Sequence, residues 1–421
     1  MEKKYITKNN IKIYSYKSKG IHSFCIGLYI KAGCLYENEE NNGITHFFEH
    51  VSFKNLNNSV GMDLADYLDM YSLDINGCTY KEFVQFKISG TSKNFAKAAD
   101  VISLLLNPLK LKKEDIECER KRIKAEIREA SEKTSLDYFT NGIVWAGTPL
   151  KNTICGEIKN LDRINFNDLL DFQKQAFSKD NFFFYVTGNF SEEDISYLGN
   201  CISKYETANT KERKNSVILP YDFLNRSKNI FIKNSKYTLI RFSFDVDVKE
   251  QSPEVLDLLF DVLFYGEKAV IYKELSDKKG IIYSFDWAFE QYQNAGVLYF
   301  EFEVRKNKLY EAVASVVNVL KNLERSCQER LEFIKPRYID NAFLISDHAE
   351  NFNWERAYER HILGINYNSL KEKKKLYEKV CKEDLNKACI KIFKKRNLTL
   401  SLKADKKSVD LSRLEEIISE L

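Results

Sequence analysis

Apolar residues along this chain follow two rhythms, and the succession of rhythms repeats. Phe83-Val-Gln-Phe-Lys-Ile-Ser89 alternates as a half-buried strand does, and Phe95-Ala-Lys-Ala-Ala-Asp-Val-Ile-Ser-Leu-Leu-Leu106 follows with the three- and four-residue steps of a helix. Val297-Leu-Tyr-Phe-Glu-Phe-Glu-Val304 and then Leu309-Tyr-Glu-Ala-Val-Ala-Ser-Val-Val-Asn-Val-Leu320 give the same succession again. A shift of 214 residues sets Phe86 against Phe300, Ile88 against Phe302, Ala98 against Ala312 and Leu106 against Leu320. That shift is close to half of the 421 residues, which predicts two similar domains. The ends of the halves agree: Phe166-Asn-Asp-Leu-Leu precedes Phe182-Phe-Phe-Phe-Tyr-Val-Thr-Gly188 as Lys382-Glu-Asp-Leu precedes Leu398-Thr-Leu-Ser-Leu402. Each half predicts helices followed by a closing strand, an α+β sandwich with helices packed on an antiparallel-rich sheet. A polar run from Glu206 to Ser216 separates them, so the expected boundaries are 1–206 for the first domain, 207–216 for a linker and 217–421 for the second.

Two helical stretches set ionisable residues into apolar faces. In Gly43-Ile-Thr-His46-Phe-Phe-Glu49-His50-Val-Ser-Phe-Lys54, residues Ile44, Phe47, Phe48 and Val51 recur at helical steps, after the turn-prone Glu39-Glu-Asn-Asn-Gly43. His46 and His50 then lie one turn apart on the same side. Neutral imidazoles so spaced can share one Zn²⁺, and Glu49 beside them can take a proton from water. A catalytic zinc takes three protein ligands and keeps one position open, so a third donor is needed from elsewhere. The best candidates lie in the stretch from Glu114 to Ala130, where Ile116, Ile123, Ile127 and Ala130 form an apolar stripe and Glu119 and Glu126 lie along one edge of it. A lone histidine on an apolar face is ordinarily a packed core residue, and a charged helix ordinarily a solvated one. Here two of only five histidines fall at i, i+4 around a glutamate, which favours a metal.

On these residues the chain resembles the M16 peptidases, the inverted-zincin group of pitrilysin, insulin-degrading enzyme and the mitochondrial processing peptidase. The likeness covers Gly43, the H-x-x-E-H order of His46-Phe-Phe-Glu49-His50, and Phe53-Lys54 after it. It implies a zinc cofactor held by His46, His50 and a glutamate about 75 residues further on. Glu126-Ile127 stands at that place, 76 residues after His50. It also implies Glu49 as general base and Glu119 as a supporting acid, against the plainer reading of Glu119 as part of a solvated helix.

Applied to the motif, the 214-residue shift puts His46, Glu49 and His50 opposite Phe260, Leu263 and Phe264, so the second domain is expected to carry no metal. Asn76-Gly-Cys-Thr79-Tyr-Lys-Glu82 is similar to the family's N-A-x-T signature. By that resemblance Asn76, Gly77 and Thr79 lead into an edge strand that binds an extended peptide; the alternative is an ordinary Asn-Gly turn. The segment from Tyr272 to Ser284 is similar to one that ends in G-L-x-Y-S, with Tyr283 as the substrate-contacting tyrosine. Ser276 stands where the family has an arginine, and Phe264-Tyr-Gly-Glu-Lys268 replaces a glycine-rich loop. Serine supplies no charged planar donor. Tyr283 is therefore either a substrate contact or a core or sheet aromatic.

The family closes its chamber with four such domains, and this chain supplies two. Intact zinc residues with the arginine missing imply the metal-bearing subunit of a heterodimer whose homologous partner supplies an arginine and a tyrosine, with a homodimer as the alternative. The expected activity is a zinc-dependent endopeptidase acting on unstructured peptides, with processing of a modified-peptide (bacteriocin-type) precursor as the specific role. A homodimeric general oligopeptidase is the nearest rival, and a non-catalytic scaffold subunit is the rival of another class.

Composition narrows the setting. With 44% hydrophobic residues there is ample material for real cores, and 65 basic against 61 acidic residues give no argument for nucleic acid or anionic membrane as a partner. The first ten residues lack the apolar core of a signal peptide, and no apolar run reaches the roughly 18 residues of a membrane span. Nine scattered cysteines without a C-x-x-C pair suit reduced thiols. A soluble cytoplasmic enzyme is the expectation.

Overall fold

Two sheets organise the chain, with the same internal order apart from one extra edge strand in the first. The computed structural model describes residues 1–129, 135–205, 229–292 and 294–421; the expected linker 207–216 lies outside them. The strands are β1 (Lys3–Ile6), β2 (Lys12–Lys17), β3 (Ser23–Ile30), β4 (Asp74–Thr79), β5 (Val84–Thr91), β6 (Phe182–Gly188), β7 (Ile230–Asn234), β8 (Thr238–Val246), β9 (Asp286–Gln291), β10 (Gly296–Val304) and β11 (Leu398–Ala404). They form a sheet of order β1-β2-β6-β3-β5-β4 and another of order β7-β11-β8-β10-β9. Within each sheet the pairing is antiparallel except for one parallel neighbour pair, β2 with β6 and β7 with β11. The helices include α1 (Ile44–Ser59), α2 (Phe95–Ser103), α3 (Lys113–Glu129), α4 (Leu136–Val144), α5 (Phe166–Ala176), α6 (Pro253–Phe264), α7 (Leu309–Lys321), α8 (Leu323–Ser346), α9 (Ala349–Ala357) and α10 (Lys382–Ile392). The α+β architecture of helices on antiparallel-rich sheets is the one the two rhythms predict. The repeated pairs fall on β5 and β10 and on the helices that follow them, α2 and α7, except that Leu106 lies in the 3-10 turn Leu104–Leu106 just after α2.

The chain separates into two compact units that interleave along the sequence. One comprises Met1–Ser131, Gly147–Val217 and Phe343–Ser369; the other comprises Glu132–Ala146, Ile218–Ala342 and Leu370–Leu421. Each unit thus contains a short segment from the opposite half of the chain.

Those segments explain why the central strands are apolar or buried on both faces rather than on one. In β3, Phe24, Ile26, Leu28 and Ile30 point into a core shared with Phe47, Phe48 and Val51 of α1. Burial of each such side chain contributes about 1.5–3 kcal/mol. The alternate residues of β3 face α9. Asn353 donates to the carbonyls of Cys25 and Tyr185 and accepts from the Tyr29 hydroxyl at 2.7 Å. Gly27 leaves the room, since a Cβ there would sit 2.5 Å from Asn353 Oδ1. The second sheet repeats the scheme: Ile240, Phe242 and Phe244 of β8 enter a core with α6 and α7. On the other face, the buried Arg241 meets Asp137 of α4 at 2.6 Å and Glu301 of β10 at 3.1 Å.

Among the described residues, no helix is long and apolar enough to cross a membrane. None of the nine cysteines is in a disulfide.

Candidate metal centre

The helix that carries the two histidines is capped by a residue that sequence reasoning passed over. Gly43, at φ 100°, has no side chain to cap α1. The buried carboxylate of Glu37 does so instead: Oε2 accepts from the Gly43 N–H at 2.8 Å and from Asn42 Nδ2 at 2.9 Å, and Oε1 accepts from the Thr45 N–H at 2.9 Å. A carboxylate at a helix N-terminus satisfies orphan donors and opposes the positive end of the dipole. The only local signal for this was a glutamate ahead of the Asn-Asn-Gly turn.

Helix α3 lies against α1 in the antiparallel sense, as three cross-helix pairs record. Lys54 Nζ is 3.5 Å from Asp115, His50 Nδ1 is 3.2 Å from Glu119 Oε2, and His46 Nε2 is 3.7 Å from Glu126 Oε1. Glu126 reaches the second histidine too, with Oε2 3.7 Å from His50 Nε2. Arg120 anchors α3, donating to the Ile164 carbonyl at 2.8 Å, with its guanidinium 5.2 Å from the centre of the Phe47 ring. The two glutamates do not share one environment. Glu119 is 5% exposed and also accepts from Arg122 at 3.0 Å, whereas Glu126 is 46% exposed.

One donor atom from each of His46, His50 and Glu126 falls within 4.8 Å of the others, the one such group of three among the described residues. This donor set fits a zinc ion. Tetrahedral bonds of 2.0–2.1 Å place nitrogen and oxygen ligands roughly 3.3 Å apart, so the 3.7 Å pairs need close only slightly. Burial, with help from the neighbouring His50, lowers His46 to about 4, which keeps the imidazole neutral and its lone pair available near neutral pH. The Glu119 carboxylate on His50 Nδ1 leaves Nε2 of that ring free for a metal.

Glu49 stands on the same helix. Burial raises its carboxyl above the ordinary 4.5, and a hydrogen bond from the Thr79 hydroxyl to Oε2 works in the opposite direction. β4, which carries Asn76, Gly77 and Thr79, is an edge strand of its sheet. Thr79 is committed to Glu49, while Asn76 is exposed and its side chain accepts from the Gly77 N–H. Gly77 lies so close to α1 that a Cβ there would be 2.9 Å from Glu49 Oε1 and 2.6 Å from the Phe53 ring. An open cavity of about 390 Å³, lined by Glu49, His50, Phe53, Asn57 and Arg122, adjoins the group.

Residues 12–157 match the family described as insulinase (peptidase family M16), and residues 163–336 match the one described as the peptidase M16 inactive domain. The chain belongs to the M16 peptidase family. An uncharacterized zinc protease of Rickettsia bellii is 24% identical over 370 residues, 86% of each chain. The bovine mitochondrial-processing peptidase subunit beta is 28% identical over 194 residues, 45% of this chain and 39% of that one. In fold the chain is similar to a Helicobacter pylori protease, with a TM-score of 0.83 at 16% identity over 96% of this chain and 99% of that one. It is also similar to the periplasmic protease PqqL of Escherichia coli, with a TM-score of 0.76 at 16% identity, covering all of this chain and 50% of that one.

In the other unit, the residues set opposite the motif by the 214-residue shift, Phe260, Leu263 and Phe264, lie on α6 and are buried in its apolar core. Tyr283 is 93% exposed, so it is not a core aromatic. Ser276 lies in a single π-helical turn, Lys273–Lys278, and its carbonyl accepts from the Gly280 N–H at 2.8 Å.

Proposed function

We propose that this M16 chain is a zinc-dependent endopeptidase in which His46, His50 and Glu126 hold the metal. The carrying observation is that these three side chains, from two helices, bring their donor atoms within 4.8 Å of one another with Glu49 on the same helix. Bound there, a zinc ion supplies the positive charge that acidifies a water and polarises a peptide carbonyl. The chain's own groups do the rest. Glu119 holds His50 in the tautomer that exposes Nε2. Glu49, raised by burial and steadied by Thr79, takes the proton of the attacking water and delivers it to the leaving amine. The open edge of β4, which carries Asn76 and Gly77, pairs with an extended peptide through main-chain groups.

In this reading the unit built mainly from residues 1–206 bears the zinc and the one built mainly from 217–421 is metal-free, working in a reducing compartment such as the cytoplasm with no cysteine in a disulfide. The exposed Tyr283, with Ser276 standing where the family has its arginine, supports a heterodimer in which a homologous subunit supplies the arginine and tyrosine. The proposed substrates are unstructured peptides, with modified-peptide precursors of the bacteriocin type as the specific class.

The test is zinc content together with chelator-sensitive peptide cleavage by wild type and Glu49→Gln. A purified chain that holds no zinc, or a Glu49→Gln variant that cleaves as fast as wild type when supplied with its partner, overturns the assignment. Strong cleavage by the isolated chain overturns the heterodimer and leaves a homodimer.

A further inference from the structure

One thiol stands beside the candidate metal centre, and the proposed reaction does not use it. Cys155 Sγ lies 3.5 Å from Glu126 Oε1, and its residue is half-buried. The loop that carries it is fastened to the start of α1. Gly156, at φ 76°, approaches so closely that a Cβ there would lie 2.4 Å from the Asn42 carbonyl oxygen, and one on Gly43 would lie 2.9 Å from that of Cys155. Asn42 Nδ2 donates to the Thr153 carbonyl at 3.0 Å, and Thr153 Oγ1 donates to the Gly156 carbonyl at 3.2 Å. The backbone that carries the sulfur is thereby held in place relative to the helix that presents His46 and His50.

The separation has chemical content. Zinc–sulfur and zinc–oxygen bonds of about 2.3 and 2.0 Å at a tetrahedral angle put sulfur and oxygen ligands roughly 3.5 Å apart, which is the distance found between Cys155 and Glu126. The sulfur is nevertheless outside the group of donors that lie within 4.8 Å of each other. Coordination by this sulfur therefore requires the Cys155 side chain to move closer to the two histidines than it stands here.

We infer that Cys155 is a reversible fourth donor to the metal held by His46, His50 and Glu126, an inference that rests on the zinc reading given above. When the side chain turns in, the S–H bond breaks, the proton passes to solvent, and the thiolate takes the position otherwise open to water, which leaves. When it turns out, the sulfur regains a proton and water returns; no electron moves. With no peptide bound, the centre is closed by its own thiol, and substrate competes with that thiol for the same position.

Cobalt(II) loaded into the full-length chain tests this without reference to activity. Wild type should show intense near-ultraviolet thiolate-to-cobalt absorption that is absent from Cys155→Ser and Cys155→Ala. The weaker visible bands of cobalt on imidazole and carboxylate should persist in all three. Chelator competition should show cobalt held about tenfold less tightly by both variants. Identical near-ultraviolet spectra in wild type and variants, with the visible bands present, overturn the role of Cys155 and leave the zinc reading standing. Failure of wild type to bind cobalt or zinc overturns both.

Discussion

The Thr79 hydroxyl donates to the Glu49 carboxylate, so the edge strand assigned to the peptide also fixes the acid beside the two histidines. In the proposed reaction a single side chain would thereby join substrate alignment to proton transfer.

Thr79→Val should lower kcat about 10- to 100-fold, the worth of one hydrogen bond to a charged group, with KM and zinc content little changed, while Thr79→Ser stays near wild type. The pH profile gives a second reading. Glu49 works as a base only when ionised, so activity is lost as pH falls through its carboxyl pKa, which burial places above the ordinary 4.5. Thr79 opposes that rise, so Thr79→Val should carry the acid limb to higher pH and Thr79→Ser should not. Steady-state peptide hydrolysis across pH measures both effects.

Gly77→Ala should damage turnover without unfolding the protein. The added methyl would press on Glu49 Oε1 and the Phe53 ring, and displacement of a reacting group by about 1 Å can cost on the order of 100-fold. The expected pattern is wild-type circular dichroism and zinc content with kcat reduced at least tenfold. Normal turnover would mean that α1 gives way freely at this point.

Glu119→Gln removes the charge from the partner of His50 Nδ1 and from the acceptor of Arg122. Zinc affinity should fall about 10- to 100-fold, measured by competition with a chromophoric chelator. Unchanged affinity would return Glu119 to a purely structural place in α3.

Glu37→Ala leaves the N–H groups of Gly43 and Thr45 and the Asn42 amide without their buried acceptor. A loss of about 2–3 kcal/mol is expected in denaturant unfolding, along with weaker zinc binding, because His46 follows directly on the frayed turn. Glu37→Gln should recover part of the stability, since its amide oxygen still accepts.

Much of the fold was legible because it is written in local periods. The alternation in β5 and β10 and the helical steps in α2 and α7 specify elements within a window of about a dozen residues. The half-length shift that relates them needs no tertiary information. The spacing of His46, Glu49 and His50 is fixed by the helix itself, and the shared edge of Glu119 and Glu126 by the pitch of α3. The chemistry of those residue types then points to a metal.

What lay beyond reach are contacts between elements distant in the chain. The capping of α1 by Glu37, the pinning of Glu49 by Thr79, the approach of Cys155 to Glu126 and the seating of Asn353 over Gly27 join stretches with no common period. The sequence by itself determined the two-part α+β architecture and the residues able to form a metal centre, since both follow from short-range geometry and side-chain chemistry. Only the tertiary structure decided that Glu119 is buried while Glu126 is half exposed, that Thr79 serves Glu49, and that α4 and α9 each belong to the compact unit of the opposite half. Those outcomes depend on which backbones come close enough to touch, at glycines where a single methyl would keep them apart.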